Sequence, residues 1–442
     1  MVQLQNVIIS IIAVAVVLGI MVLIHEWGHY IVAKSLGVTV KVFSVGFGKR
    51  LWGYEKNGTD YRISALPFGG YVKMAGDNPL EATTDDPGEF LNHSRWHRFL
   101  IAIAGPAVNI LFAILLLFCV YKFHYDRPVG EGTAPLVGAV DPGSPAQQAG
   151  LQAGDRILSI AGKDSPDWDT IKATIALSPN QPVTLGIDRN GEKKTIGFSP
   201  KIELHDQVGT LDFEPAQPLL VSTLKSGSPA EKAGIAKGDT IEAINGQHIY
   251  SVLGLRKALA DAGGHAVRAT VLHAGAAHEV SITPERAVAE NGKEIYMLGF
   301  TPTSPYEVVK LPAGTSLAKS VQTNVANAGL ILELVKKMVQ RKVSIKAMSG
   351  PVGMAQMSGQ VARLPGWTPK FEFMALISIN LGVMNLLPIP ILDGGVILLL
   401  FIESLMRRDI SLTVKERIYQ ASFVFLVLFA AVVMFNDVVK MR

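Results

Sequence analysis

Ile24-His25-Glu26-Trp27-Gly28-His29-Tyr30 closes an apolar run, Val7 to Ile24, that holds no charged residue. About 18 such residues are enough to cross a bilayer as a helix. Positions i and i+4 of a helix share a face, so His25 and His29 can reach one ion. Glu26 follows the first imidazole directly, where a carboxylate can polarise a water held on that ion. The metal-binding pattern therefore lies on a membrane span, and the rest of the chain is read outward from it.

His-Glu-x-x-His is the motif of zinc peptidases. A catalytic zinc site needs a third protein ligand and one position left for water. In a membrane segment that ligand should be an ionisable residue, since such residues are expensive there and mark function. Asp393 fits. It lies in an apolar stretch from about Phe371 to Leu405, interrupted by Asn385-Leu386-Leu387-Pro388-Ile389-Pro390 and followed by Gly394-Gly395. The two prolines interrupt helical hydrogen bonding and can re-aim the backbone. Asn385 is the other polar residue there, placed to hydrogen-bond a substrate backbone or to steady a ligand.

Composition agrees with a chain that is part membrane and part water-soluble. It is 49% hydrophobic and 18% charged, with mean hydropathy +0.30. That is too apolar for a simple soluble enzyme and too polar for an all-helical transporter. A net charge of +4 argues against nucleic acid as a partner. The single cysteine, Cys119, excludes an intramolecular disulfide. Met1 to Asn6 carries no lysine or arginine, and no small-residue cleavage site follows the first apolar run. The run therefore reads as a retained span rather than a signal peptide.

Two further spans are expected, from about Phe99 to Val120 and from Ile418 to Phe435, making four with the Phe371–Leu405 stretch. Arg407, Arg408, Lys415 and Arg417 form a basic loop that the positive-inside rule places in the cytoplasm. Lys49, Arg50, Lys73, Arg95 and Arg98 place the segment after the first span on the same side. Both termini and the middle of the chain then lie outside. Within the second span, Ala104-Gly105-Pro106 allows close helix packing, and Asn109 is a polar group that needs a partner; the segment serves either plain helix packing or a contact with the metal-motif helix. His93 and His97 repeat the i, i+4 spacing but sit with Arg95, Trp96 and Arg98, the composition of an interfacial belt.

Val38 to Met74 has strand character, with a turn at Asn57-Gly58. Leu66-Pro67-Phe68-Gly69-Gly70-Tyr71-Val72 is apolar yet cannot be a long helix. Two readings stand here: a cytoplasmic β-subdomain, or a re-entrant sheet whose edge, at Gly69, Gly70 and Tyr71, receives an extended substrate.

The middle of the chain repeats. Gly143-Ser144-Pro145-Ala146, Ala149-Gly150-Leu151 and Gly154-Asp155 recur 84 residues on as Gly227-Ser228-Pro229-Ala230, Ala233-Gly234-Ile235 and Gly238-Asp239. That period suits tandem small domains. The pattern resembles PDZ domains, which bind an extended chain at a sheet edge. Ser316 to Val343 reads as an amphipathic helix, either on a membrane surface or packed against the domains.

Together the paired motifs and the intervening repeats resemble the site-2 protease family of intramembrane zinc metalloproteases, over nearly the whole chain. Ser349-Gly350-Pro351 also looks like a family element. The resemblance implies a multi-pass α-helical membrane protein of the bacterial inner membrane. It would have four spans, a membrane-associated β-element and two periplasmic α+β PDZ-like domains. It implies Zn²⁺ on His25, His29 and Asp393, Glu26 as catalytic base, and substrate contacts at Asn385. The implied substrates are single-span membrane proteins, notably a truncated anti-sigma factor, with signal-peptide remnants as a further class. Extended peptides at the PDZ-like domains and membrane lipid are the other implied partners. The expected divisions are a first span (1–36), a β-rich element (37–75), a cytoplasmic loop (76–97) and a second span (98–122). PDZ-like domains follow (128–203 and 204–286), then a linker with the amphipathic helix (287–370). A third span region (371–405), a basic loop (406–417) and a fourth span with tail (418–442) complete the chain. The competing reading is a PDZ-bearing membrane adaptor with a non-catalytic metal site, which would have no use for Glu26.

Overall fold

The structure, a computed structural model, describes residues 2–77, 84, 86–128, 134–203, 207–288, 294–303 and 306–440. Most of the expected loop at 76–97 is described only from residue 86 onward. The chain divides into two compact units, 1–125 with 309–336 and 348–442, and 126–308 with 337–347.

The first unit begins with α1 (Val2–Ser35), which carries the His-Glu-x-x-His motif in its last third. β1 (Val40–Lys56) and β2 (Thr59–Met74) follow as a hairpin turning at Asn57-Gly58, with φ +51° and +73° there. Both strands bend, so each contributes two segments. Residues 40–45 pair with 70–74 on one side and with 60–63 on the other, and 50–56 pair with 59–64. The segment 70–74 is thus an edge. α2 (Arg95–Phe123) starts at Ser94, whose hydroxyl accepts from His97 N, satisfying one of the free amides of the first turn. It crosses α1 closely: a Cβ on Gly28 would lie 2.6 Å from the Ala104 carbonyl oxygen.

The second unit is a duplicated module. β3 (Tyr125–Pro128) leads in, and the first copy comprises β4 (Val137–Val140), α3 (Pro145–Gln148), β5 (Arg156–Ile160), β6 (Lys163–Asp164), α4 (Trp168–Ala176), β7 (Val183–Arg189), β8 (Glu192–Phe198) and β9 (Phe213–Pro215). The second comprises β10 (Leu219–Leu224), α5 (Pro229–Lys232), β11 (Thr240–Ile244), β12 (Gln247–His248), α6 (Val252–Asp261), β13 (Val267–His273) and β14 (Ala276–Ile282). A small hairpin of β15 (Glu285–Val288) and β16 (Glu294–Met297) precedes its last strand, β17 (Phe300–Thr303), and β18 (Tyr306–Val309) pairs with β3. The second sheet runs β14-β13-β11-β10-β17. The first repeats it with β8-β7-β5, a bridge from Arg156 to Leu136 ahead of β4, and β4-β9. Each copy encloses its own core, around Ile157, Ile171 and Leu185 in one and Ile241, Leu255 and Val271 in the other. The closing strands lie beyond the expected boundaries. β9 falls within 204–286 but completes the first module, and β17 falls in the expected linker but completes the second.

The Gly-Asp positions of the repeat hold buried, paired carboxylates. Asp155 accepts two bonds from Arg189, at 2.6 and 2.7 Å, and Asp239 lies 2.5 Å from His273 Nδ1. Both partners stand 84 residues apart, like the aspartates.

The chain returns to the first unit in α7 (Ala313–Val339), where Ser316, Ser320 and Asn324 are buried while Leu317, Val321 and Val325 are exposed. Its small polar face points inward, and its apolar stripe faces away from the protein. α8 (Pro351–Arg363) begins at the Ser349-Gly350-Pro351 element. α9 (Thr368–Asn385), α10 (Asp393–Met406) and α11 (Leu412–Lys440) complete the chain. Asp437 of α11 caps α8, its carboxylate accepting the N–H groups of Gly350, Val352 and Gly353 at 2.8–3.0 Å. Gly350 is required because a Cβ there would lie 2.7 Å from Val433 and 2.8 Å from that carboxylate.

Among the described residues three helices are long and apolar enough to cross a membrane: Gln5–Ser35, Arg95–Phe123 and Leu412–Lys440. The expected third span differs. It is two helices, α9 and α10, separated at Leu386–Leu392. Pro388 and Pro390 supply no N–H to continue the ladder.

Candidate active site

The site is assembled where α1, α2, α9 and α10 meet. The break between α9 and α10 makes Asp393 the first residue of a helix rather than part of a continuous one. The connecting turn folds tightly back over the helix start. A Cβ on Gly394 would clash with the Leu386 carbonyl, and one on Gly395 with the Ile389 carbonyl. That is the physical reason for two glycines after the aspartate.

Asp393 thereby reaches both histidines. His25 Nε2 lies 3.1 Å from Asp393 Oδ2, His29 Nε2 lies 3.4 Å from Asp393 Oδ1, and the two Nε2 atoms are 3.2 Å apart. One donor atom from each of the three residues falls within 4.8 Å of the others. Both histidines are buried.

The surroundings orient the rings. His29 Nδ1 donates to the Ile101 carbonyl at 2.7 Å, which leaves the Nε2 lone pair for the cluster. The fully buried Asn109 amide is 3.3 Å from His25 Nδ1, and Ser378 holds the Asn109 carbonyl at 2.8 Å. Gly105 lies under both imidazoles, so close that any Cβ there would clash with His29 Nε2. Asn385, at the end of α9, brings its amide to 3.4 Å from His25 Nε2. Ile101 was not an expected contributor, and Gly105 lies in the segment read as packing or as a contact to the metal-motif helix. A backbone carbonyl leaves no trace in a sequence.

Glu26 points to the β-hairpin. Its Oε2 accepts the N–H of Val72 at 3.0 Å, on the edge segment of β2. Gly69 lets that strand lie against α1, since a Cβ there would lie 3.4 Å from Val22 and 2.9 Å from the Phe47 ring. Gly70 passes close to the Ser44 carbonyl. The Tyr71 ring stacks on Phe47 at 5.9 Å, and its hydroxyl takes a bond from Arg62. Gly69, Gly70 and Tyr71 therefore border Glu26 through the strand, and among the described contacts none touches the three-donor cluster. His93 and His97 are 3.2 Å apart through their Nδ1 atoms and gather no third such donor among the described residues.

Two imidazoles and a carboxylate around one point, with a second carboxylate beside them, make the donor arrangement of metal-dependent peptidases, and both imidazoles are carried here on a helix long and apolar enough to cross a membrane. The model of peptidase family M50 matches residues 13–429, and the chain belongs to that family. Members of the family are zinc-dependent peptidases, and this chain is a zinc metalloprotease. It is 33% identical to "Protease RseP" of Yersinia pestis, over 97% of this chain and 98% of that one. It is 31% identical to "Regulator of sigma-E protease RseP" of Escherichia coli K12, over 96% of each. The family expectation drawn from the motifs is met.

Proposed function

We propose that the chain is an intramembrane zinc endopeptidase that cuts single-span membrane proteins, with His25, His29 and Asp393 as metal ligands and Glu26 as the catalytic base. The convergence of the three donor residues from α1 and the start of α10 carries this reading. A nitrogen and oxygen donor set of this size suits zinc. Bound there, zinc supplies Lewis acidity toward water and a peptide carbonyl.

The chain's own residues do the rest. Glu26, held at Oε2 by Val72, takes the proton of the attacking water and passes it to the leaving nitrogen. The substrate must be extended at the cut, because a helix keeps its carbonyls in backbone bonds. The 70–74 edge, bordered by Gly69, Gly70 and Tyr71, offers pairing for such a strand. Asn385 contacts the substrate backbone. In this reading the α9–α10 pair is a broken third crossing, making four, and the metal site lies toward the cytoplasm of a bacterial inner membrane. The duplicated modules are PDZ-like domains on the periplasmic side. The names of the relatives and the family resemblance favour a truncated anti-sigma factor as substrate.

The test combines metal analysis of detergent-purified protein with cleavage of a single-span reporter. One zinc per chain, cleavage lost to a chelator, and cleavage lost in Glu26→Gln with zinc retained are expected. Undiminished turnover by Glu26→Gln would overturn the reading and favour an adaptor with a non-catalytic metal.

A further inference from the structure

One β-hairpin recurs in both modules with the same register and different side chains. In the first module β7 and β8 turn at Asn190-Gly191, with φ +54° and +89°, and Ile187 pairs with Lys194. In the second β13 and β14 turn at Ala274-Gly275, with φ +48° and +87°, and Val271 pairs with His278. The 84-residue offset sets Arg189 against His273, Glu192 against Ala276 and Lys194 against His278. Two cations and an acid in one hairpin correspond to two imidazoles and a methyl group in the other.

The first set is closed on itself. Arg189 holds the buried Asp155 at 2.6 Å, and Lys194 pairs with Glu192 at 2.8 Å. Guanidinium and ammonium groups have no lone pair to offer a metal.

The second set can offer two. Directly opposed residues of paired strands share a face, and so do residues two apart on one strand. His273 and His278 are therefore diagonal neighbours on one face. Their ring centroids are 6.4 Å apart, with the planes at 78°. Both residues are exposed.

Asp239 fixes the first ring. Its side chain is only 2% exposed, its Oδ2 accepts the Ala236 N–H at 2.8 Å, and its Oδ1 lies 2.5 Å from His273 Nδ1. An ionised carboxylate only accepts, so Nδ1 carries the proton and Nε2 keeps its lone pair. A carboxylate behind the far nitrogen sets the tautomer of a metal-binding imidazole and raises its basicity. Two nitrogens on one ion must come within roughly 3–3.5 Å, since each bond is about 2 Å. Rotation of the exposed His278 ring supplies that approach.

We propose that His273 and His278 form a second metal site, which takes a late first-row transition ion through one nitrogen each, with Asp239 orienting His273 and water completing the shell. Imidazole ligands favour copper, zinc and nickel over magnesium and calcium, and copper(II) binds tightest of the divalent series. The site is separate from the His25, His29 and Asp393 cluster and does not depend on the peptidase reading. An ion there ties β14, the last strand of its sheet, to β13.

The experiment uses the zinc-loaded full chain in detergent. Copper(II) is titrated with magnesium as the comparison, bound ion is counted by equilibrium dialysis, and frozen samples are read by electron paramagnetic resonance. The double variant His273→Arg, His278→Lys installs the first module's own residues and should bind one copper(II) fewer per chain. The ion lost should be the one whose spectrum shows coupling to two imidazole nitrogens. His278→Ala, at an exposed position, should weaken that site by about tenfold or more. With copper(II) about tenfold above its dissociation constant, hydrogen exchange of the β13 and β14 amides should slow about tenfold, and that of β7 and β8 should not. Equal copper in the chain and the double variant overturns the site. Undiminished affinity in His278→Ala overturns the pairing of two rings. Unchanged exchange in the β13–β14 hairpin overturns its placement there, and equal uptake of magnesium overturns the assignment to a transition ion.

Discussion

Val72 donates its backbone N–H to Glu26 Oε2 at 3.0 Å, joining an edge strand to the carboxylate beside the first histidine. Under the proposed chemistry the bond holds one oxygen and leaves the other for proton transfer. Glu26→Gln keeps an acceptor for Val72 but cannot take a proton. Its turnover of a single-span reporter should fall by about 10²–10⁴-fold, with the zinc content measured by elemental analysis unchanged.

Gly105→Ala should damage the metal site without damaging the helix. Alanine is a better helix former than glycine, so α2 itself gains. The added methyl clashes with both imidazoles. Zinc affinity, measured by competition with a chromogenic chelator, should drop about 10–100-fold, the scale seen when outer-sphere support of a ligand is lost.

Asp437→Ala should loosen the start of α8. It leaves the amides of Gly350, Val352 and Gly353 without their acceptor. Losing buried partners costs about 1–3 kcal/mol, so hydrogen exchange at these amides should accelerate roughly 10–100-fold while α9 amides are unaffected. Equal exchange in both proteins would mean that the cap contributes nothing.

The first module should lose stability as pH rises. Burial and Asp141 raise the carboxyl of Asp212, so the folded state holds a proton that the unfolded chain has already released. Stability is then greatest below the unfolded value of about 4 and declines as pH climbs through the raised folded value. Asp212→Asn should flatten this decline and stabilise the module at neutral pH. Exchange of the β5 and β7 amides against pH, in the full chain, reads it.

The parts legible in the sequence were those with a local period. His25 and His29 share a face because a helix has 3.6 residues per turn, and the 84-residue offset is visible by comparing the chain with itself. Asp393 stood out as a charge in an apolar stretch, and Pro388 and Pro390 marked the interruption beside it. What escaped was long-range pairing. β9 and β17 are three and four residues long, and nothing in their composition says that they close modules begun 76 and 81 residues earlier. The doubling of β1 and β2 depends on bends that alternation does not encode. The role of Ser349-Gly350-Pro351 depends on a carboxylate 87 residues away.

The donor cluster draws on positions 25, 29 and 393 of 442. Translation must therefore run 364 residues past the second histidine before the last donor exists, and α10 must form before that donor is in place. Under the proposed chemistry, every shorter nascent or prematurely terminated product is inert toward neighbouring membrane proteins. The order of synthesis itself keeps this hydrolase silent until α10 has been made.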